Sequence, residues 1–354
     1  MPNFLAVPAI VLVGAAALVL SGCAPTPEDD SSESGADYTA CMVANSGNLE
    51  DRSFNQASFE ALQRAESELG VDIRTAVSQS AADYDTNIRS MVDVGCNYIL
   101  TVGWELADAT AKGAEENPNV HFSIVDETVE GENTRSIVYD TAQASFLAGY
   151  LAAGLSETGV VGTFGGGNQP PVTVFMDGFW DGVQQYNEAH DTTVSVVGWD
   201  KPSQRGSFTD DFENAAIAKT VAEGLIQQGA DIIMPVAAQA GEGAATAALE
   251  AGKVGIIWVD SDGYLTLPAE FTPLLVTTVL KKMQNAVYEI ISDDLKGDFV
   301  GESYIGTLEN EGVDLAPFHD WKSRIPAELV TELDALRQQI IDGTLVVESV
   351  SSPQ

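Results

Sequence analysis

From residue 38 onward, short apolar segments of strand length alternate with longer segments of helical periodicity, and this alternation limits the possible folds most. The first segment, YTACMVAN (38–45), predicts a strand, and apolar residues at helical spacing follow over 53–69. The alternation continues to a last predicted helix at 326–342. It is typical of parallel sheets with helices on both faces. The strand and helix units are too many for a single sheet. Two doubly wound α/β lobes are therefore predicted.

The segments between these two ends follow the same pattern. Further strands are predicted at 71–77, 97–103, 120–126, 160–166, 194–199, 231–237, 254–260 and within 273–279. Helices are predicted at 86–95, 106–117, 146–155, 174–187, 214–229, 243–252 and 281–291. Ligands of parallel sheets bind beyond the carboxyl ends of the strands, so the turns after the strands are the candidate sites.

Aromatic and acidic residues occur together at these turns. Phe54 and Trp104 follow the first and third strands, Asp126 and Asp260 follow later ones, and Phe208 lies in a loop near Asp200. Aromatic rings stack on flat rings or sugar faces, and carboxylates accept hydrogen bonds from hydroxyl and N–H groups. The set indicates a neutral, flat, hydroxylated ligand.

Structural roles are open alternatives for several of these residues. Phe54 could belong to the core side of its helix, Asp51 or Ser53 could cap that helix, and Asp260 could pair within its own lobe. Phe175, Phe179 and Val183 recur at four-residue spacing and are interpreted as core residues.

Composition excludes several classes of function. The formal charge of −37 argues against a nucleic-acid partner and against an anionic membrane surface. The three cysteines and three histidines are scattered without zinc-site spacing, so no metal site is expected. The glycines at 165–167 are not followed by Lys-Ser/Thr, and no Gly-x-Ser-x-Gly occurs. Neither an enzyme nor a cofactor is predicted.

The N-terminus has the pattern of a lipoprotein signal peptide. An apolar run at 4–20 precedes Leu-Ser-Gly-Cys at 20–23, so residues 1–22 would be removed and Cys23 would be lipidated. The 1–22 segment contains no Lys or Arg, which departs from the usual pattern, and a transmembrane anchor is the alternative. Residues 23–37 then form a polar tether, and the body is expected outside the cytoplasm, attached to the cell membrane.

A series of short motifs appears in an order that resembles the basic membrane protein family of ABC-transporter substrate-binding lipoproteins. The motifs are DRSFNQ (51–56), FLAG (146–149), VGTFGG (161–166), GF-x-x-G (178–182), GAD (229–231), VD-x-D (259–262) and VTTVLK (276–281). The resemblance covers about residues 38–348, and the best-understood members of the family bind purine nucleosides.

The resemblance implies a type I periplasmic-binding fold, with two lobes joined by three crossings and closing on a ligand about a hinge. The first lobe would comprise 38–140 plus 274–300, and the second 141–273 plus 301–350. The resemblance also implies a disulfide between Cys41 and Cys96, both near strand starts in the first lobe. Two buried free thiols are the alternative.

The resemblance further implies the ligand contacts. Phe54 and Phe208 would sandwich the base, Asp126 and Asp260 would accept hydrogen bonds from ribose or base, and Lys281 would reach the ribose or orient Asp260. Gly241 would border the sugar. Asn45 stands where the family usually has an Asp that hydrogen-bonds the base, which leaves base preference open.

The resulting hypothesis is a monomeric, lipid-anchored substrate-binding protein that delivers a purine nucleoside to a membrane ABC permease. A sugar or autoinducer receptor of the same fold is the first alternative. A lipid-anchored sensor or adhesin is the second.

Overall fold

The computed structural model describes residues 37–353, which form two six-stranded sheets and a two-stranded ribbon. The strands are β1 (Thr39–Ala44), β2 (Asp72–Val77), β3 (Tyr98–Val102), β4 (His121–Val125), β5 (Thr134–Tyr139), β6 (Val160–Gly165), β7 (Ser195–Val197), β8 (Trp199–Asp200), β9 (Arg205–Gly206), β10 (Ile232–Val236), β11 (Gly255–Asp260), β12 (Leu275–Lys281), β13 (Tyr304–Gly306) and β14 (Val313–Leu315). The helices are α1 (Phe54–Leu69), α2 (Tyr84–Asp93), α3 (Ala107–Glu116), α4 (Thr141–Leu155), α5 (Pro170–His190), α6 (Ala215–Gln227), α7 (Glu242–Ala251), α8 (Gly263–Thr266), α9 (Met283–Leu295) and α10 (Ala327–Ile341).

Each large sheet is the centre of one lobe. The first lobe has the strand order β13-β5-β4-β3-β1-β2, and the second has β14-β12-β11-β10-β6-β7. Every pairing within the two large sheets is parallel except β12 with β14. The predicted architecture of two parallel-sheet α/β lobes is confirmed.

The central strands are buried along nearly their whole length because helices cover both sheet faces. In β1, five consecutive residues are buried, and β3 is buried throughout. Helix α1 buries one face against the first sheet, and Gly70 ends it in the left-handed conformation, where its N–H donates to the Glu66 carbonyl. The strand and helix periods read from the sequence therefore match the burial.

Helices α4 and α5 pack unusually closely because glycines face the neighbouring backbone. A Cβ added to Gly149 would lie 2.0 Å from the Phe179 carbonyl oxygen, and one added to Gly182 would lie 1.9 Å from that of Phe146. These glycines belong to the FLAG and GF-x-x-G motifs. Two of the motifs that carry the family resemblance thus encode helix packing in the second lobe, with no part in the cleft.

The chain crosses between the lobes three times, after β5, after β12 and after β13. The second crossing corrects the expected lobe boundary at 274. Strand β12 lies in the second sheet, where Val279 pairs with Val259 of β11, and only after Lys281 does the chain enter α9, which packs on α1 of the first lobe. Strand β13, expected in the second lobe, pairs with β5 of the first.

Five short elements were absent from the sequence prediction: β5, β9, β13, β14 and α8. Strand β5 includes Arg135 and Ser136 within TRSIVY, which breaks the apolar run, and the other four have only two to four residues. Elements this short carry no periodicity, so tertiary pairing decides them.

Cys41 and Cys96 form a disulfide that joins β1 to the turn before β3. Both residues are buried. Among residues 37–353, no helix is long and apolar enough to cross a membrane. Cys23, the predicted signal peptide and nearly all of the predicted tether lie outside the described residues.

Candidate functional site

The carboxyl ends of the two sheets face each other across a cleft. It holds about 770 Å³ of empty space including its mouth, which is in the range of small-molecule sites. Its first-lobe wall includes Asn45, Phe54, Asn55, Trp104, Glu105 and Asp126. Its second-lobe wall includes Phe175, Phe212, Ala237, Gln239, Asp260 and Lys281.

One end of the cleft carries a compact charge cluster. Lys281 Nζ lies 2.9 and 2.7 Å from the two carboxylate oxygens of Asp126 in the opposite lobe, and 4.0 Å from Asp260 Oδ1. The lysine side chain is only 3% exposed, so water screens these contacts weakly. Asp126, Asp260 and Lys281 are called the charged end below.

Burial raises the pKa of Asp126, and the adjacent Lys281 opposes that rise. The carboxylate therefore depends on its lysine partner to stay ionised in this buried position. The ammonium also lies 5.3 Å from the ring centres of Phe54 and Phe175. These cation–π contacts favour the charged lysine, so the aromatic wall and the charge cluster support each other.

The start of α1 brings further polar groups to the cleft. Asp51 accepts hydrogen bonds from the backbone N–H groups of Ser53, Asn55 and Gln56, which confirms that it caps this helix. Burial raises the pKa of Asp51, and these three hydrogen bonds oppose the rise. The cap fixes the turn from which Phe54 projects into the cleft.

The opposite end of the cleft is lined by amides and one carboxylate. Asn45 Nδ2 donates to Glu105 Oε2 at 3.3 Å, and Asn55 Nδ2 donates to Asn45 Oδ1 at 3.2 Å. Burial raises the pKa of Glu105, hydrogen bonds from its own N–H and from Asn45 oppose this, and Asp126 adds to the rise. Asn45, Asn55 and Glu105 are called the amide end below.

Three residues at or just after strand ends that form the cleft have strained backbone conformations. Asp126, Ala238 and Asp260 all line the cleft and have positive φ angles of 70°, 44° and 67°. Such conformations are unfavourable for residues other than glycine, and they cluster where function demands a particular side-chain direction. The strain supports the cleft as the functional site.

Polar contacts between the lobes close the cleft in this structure. Ser53 Oγ donates to Asp260 Oδ2 at 2.6 Å, and Arg52 Nη1 lies 3.0 Å from both carboxylate oxygens of Glu242. Asn48 Nδ2 donates to Gln239 Oε1 at 3.2 Å. The first contact contradicts the alternative that Asp260 pairs only within its own lobe.

Five of the seven predicted ligand-binding residues line the cleft: Asn45, Phe54, Asp126, Asp260 and Lys281. Phe208 does not. It forms a parallel bridge with Gly165 and packs edge-on against Trp199, with ring centres 6.0 Å apart. Phe212, four residues further along the same loop, lines the cleft instead.

Gly241 also lies behind the cleft wall. A Cβ at this position would be 2.8 Å from the ring of Trp258, so the glycine allows a close contact with the core of the second lobe. The preceding residues of the same turn, Ala237, Ala238 and Gln239, form the wall. The predicted turn therefore reaches the cleft, but Gly241 itself is not among the lining residues.

Phe175, Glu105 and Asn55 are further cleft residues that the sequence prediction did not indicate. Phe175 was interpreted as core; it is buried, and it also lines the cleft beside Lys281. Glu105 follows directly after Gly103-Trp104, so its position after a strand could have indicated it. Asn55 follows Phe54 in a helix, where nothing in the sequence separates a cleft residue from a core residue.

No group of three or more metal-ligating side chains occurs between residues 37 and 353. The polar groups of the cleft suit hydrogen bonding to a neutral ligand with several donors. The single positive charge of Lys281 is already shared between Asp126 and Asp260.

Two α/β lobes, three crossings and an interlobe cleft define the type I periplasmic-binding fold. Residues 38–351 match the family model Bmp, described as ABC transporter substrate-binding protein PnrA-like. The chain belongs to this family of ABC transporter substrate-binding proteins.

Similar proteins extend over nearly the whole chain. The ABC transporter nucleoside-binding protein BmpA of Lactococcus lactis subsp. cremoris is 30% identical, with 98% of each chain covered. The CD4+ T-cell-stimulating antigen of Listeria innocua is 28% identical over 96% of this chain and 97% of its own. A solute-binding protein of an ABC transporter system from Aeropyrum pernix K1 has a TM-score of 0.78 and 23% identity, covering 88% of this chain and 94% of that chain.

Proposed function

We propose that this protein binds a purine nucleoside in the interlobe cleft and delivers it to a membrane ABC permease. The observation that carries the proposal is the combination of aromatic walls with the buried cluster of Asp126, Asp260 and Lys281. Aromatic rings stack on a base, and carboxylates accept from the vicinal hydroxyls of ribose. The name of the Lactococcus relative, a nucleoside-binding protein, supports the same ligand class.

Some cleft residues contact the base of the nucleoside, and others contact its ribose. Phe54 and Phe212, from opposite lobes, stack on the base, and Phe212 takes the role that the sequence gave to Phe208. Asp126 and Asp260 accept from the ribose hydroxyls. Lys281 pairs with Asp126 at 2.7 Å and lies 4.0 Å from Asp260, so it orients both carboxylates.

The cleft also disfavours a phosphorylated ligand. A 5′-phosphate would bring up to two negative charges into a cleft whose lining carboxylates already outnumber its single lysine. Nucleoside monophosphates should therefore bind at least about tenfold more weakly than nucleosides, a difference of about 1.4 kcal/mol.

Calorimetric titration with adenosine, inosine, guanosine, their 5′-monophosphates and ribose tests the ligand class. The proposal requires binding of at least one nucleoside, with its monophosphate at least about tenfold weaker. Heat with a sugar and with no nucleoside would instead make the protein a sugar receptor of the same fold. Equal affinity for a nucleoside and its monophosphate would refute the argument from the acidic cleft.

We propose that the anchor is Cys23, so that the protein functions outside the cytoplasm on the cell membrane. Replacing Cys23 by Ala should release the protein from the membrane fraction and abolish labelling by a fatty-acid probe. A variant that keeps the label would place the anchor elsewhere. Loss of labelled-nucleoside uptake in cells that lack the protein would support the delivery role.

A further inference from the structure

The amide end has acceptor atoms for which the protein supplies few donors. In the described part of the chain, the only side chain that donates to Glu105 is Asn45, at 3.3 and 3.5 Å. The Oδ1 atom of Asn55 is buried and has no hydrogen-bond partner among residues 37–353. Asn55 is 97% buried and lines the cleft. Buried acceptors of this kind need donors, which only a ligand or water can bring here.

The distance along the sheet edge fits the dimensions of a nucleoside. In the first sheet, Asp126 follows β4, Glu105 lies just after β3, and Asn45 follows β1, which are three adjacent strands. Neighbouring strands are about 4.8 Å apart, so the charged end and Asn45 are separated by about 10 Å. Glu105 belongs to the nearer strand end, but its carboxylate reaches Asn45 Nδ2 at 3.3 Å, so a ribose at the charged end places the far edge of a purine beside the Glu105–Asn45 pair.

The residues at the strand ends of the second lobe follow the same order along the cleft. Lys281 ends β12 and Asp260 ends β11, whereas Phe212 lies over Gly166 at the end of β6, two strands beyond β11. Phe212, one of the two rings proposed to stack on the base, is thus on the side of the amide end, whereas the Phe54 ring lies 5.3 Å from Lys281 and borders the charged end.

The hydrogen-bonding groups of the amide end match some base edges better than others. A carboxylate takes two adjacent donors in a bidentate arrangement, and such charge-assisted bonds are stronger than neutral ones. Guanine presents N1–H and the 2-amino group side by side on its Watson–Crick edge. Hypoxanthine has the N1–H alone, and adenine places the bare N1 acceptor next to its amino group, which opposes a carboxylate.

We propose that Glu105, oriented by Asn45 and flanked by Asn55, is the residue that selects the base, and that the site prefers guanosine. The inference rests on the proposed nucleoside-binding function and adds the identity of the base. Glu105 is a specificity-determining residue, so its replacement changes the ranking of nucleosides more than it changes binding of the ribose.

Guanosine and inosine make a matched ligand pair because they differ only in the 2-amino group. Guanosine should bind the wild type at least about tenfold more tightly than inosine, the equivalent of about 1.4 kcal/mol. Glu105→Gln, which keeps the size of the side chain but replaces one acceptor oxygen by a donor, should reduce this preference to about threefold or less. Inosine keeps its N1–H bond to the remaining oxygen, without the charge, so it should lose less affinity than guanosine.

Two further variants separate the role of Glu105 from a general charge effect. Glu50→Gln removes the same charge from an exposed loop residue outside the cleft lining, and it should keep the full preference. Glu213→Gln changes an exposed lining carboxylate of the second lobe. Loss of the preference in Glu213→Gln with retention in Glu105→Gln would overturn the inference. Thermal unfolding without ligand checks that each variant is folded.

The outcomes also separate this inference from the proposed function. Equal wild-type affinities for guanosine and inosine would overturn the guanine preference and leave nucleoside binding intact. Absence of binding by every nucleoside would overturn both. A tenfold preference that survives Glu105→Gln would assign base selection to another residue and refute the role of Glu105.

Discussion

The two ends of the cleft differ in how far the protein satisfies its own polar groups. At the charged end, Lys281 pairs with Asp126 at 2.7 Å and Ser53 donates to Asp260 at 2.6 Å, across the lobes. At the amide end, Glu105 receives one long side-chain contact, and Asn55 Oδ1 receives none from the described residues. Preorganised charges give affinity, whereas unsatisfied acceptors demand a ligand with matching donors. We therefore attribute affinity to the charged end and selectivity to the amide end.

The charged end should show the largest effect of a single substitution. Lys281→Met leaves Asp126 buried without its cation, and the pKa of Asp126 rises further because the opposing charge is gone. The pair joins the two lobes in the closed cleft, and removing one partner of a buried charge pair across an interface costs about 2–5 kcal/mol, so nucleoside affinity should fall by at least about 30-fold.

The neighbouring lysine is the matched control for this experiment. Lys282 pairs with Asp314 at a more exposed position, so Lys282→Met should leave calorimetric affinity within about twofold of wild type. Similar losses in both variants would contradict the special role of the charged end.

The next largest loss of affinity should follow substitution of a ring that stacks on the base. Phe212→Leu removes a base-stacking ring, and base–aromatic stacking is worth about 1–3 kcal/mol, so affinity should fall by about tenfold or more. Phe208→Leu changes a ring that packs on Trp199 behind the wall, so it should lower the melting temperature with little effect on affinity. The reverse pattern would restore Phe208 as the stacking residue.

The amide end should lose its selectivity in acid. Burial raises the pKa of Glu105 above its usual range, and only the ionised carboxylate accepts from both guanine donors. The guanosine preference should be complete above this pKa and should disappear as pH falls through it, before an ordinary glutamate of pKa about 4.3 would titrate. The ratio of guanosine to inosine affinity, measured from pH 7.5 downward, tests this. A ratio that is constant down to about pH 4 would contradict it.

The smallest effect should come from breaking the Arg52–Glu242 contact at the mouth of the cleft. Arg52 and Glu242 join the lobes, but the arginine side chain is 40% exposed, so the pair contributes at most about 1 kcal/mol. Arg52→Gln should accelerate ligand dissociation by a few-fold in stopped-flow measurements. Arg64→Gln, which breaks an exposed pair within α1, is the control and should leave the dissociation rate unchanged.

Sequence reasoning found the charged end more completely than the amide end, for a physical reason. Asp126, Asp260 and Lys281 stand directly at the ends of buried strands, and parallel sheets bring such ends to one edge. Glu105 and Asn55 lie one step into a helical turn, where only the three-dimensional path of the chain decides which side chain meets the cleft. The guanine preference therefore required the structure.

The errors arose where tertiary contacts decide between neighbouring positions. Phe208 and Phe212 belong to one loop, and pairing of Phe208 with Gly165 directs Phe212 to the cleft. Gly241 lies under the wall because Trp258 occupies the space beside it. The lobe boundary shifted because β12 completes the second sheet before the chain crosses.

A crystal structure of the protein with guanosine tests the orientation of the ligand most directly. We expect the ribose hydroxyls at hydrogen-bond distance, about 2.7–3.2 Å, from Asp126 and Asp260, and the Watson–Crick edge at a similar distance from Glu105. The base should lie between Phe54 and Phe212. A nucleoside bound in the opposite direction, with its ribose at the amide end and its base at Lys281, would contradict the division of the cleft into an affinity end and a selectivity end.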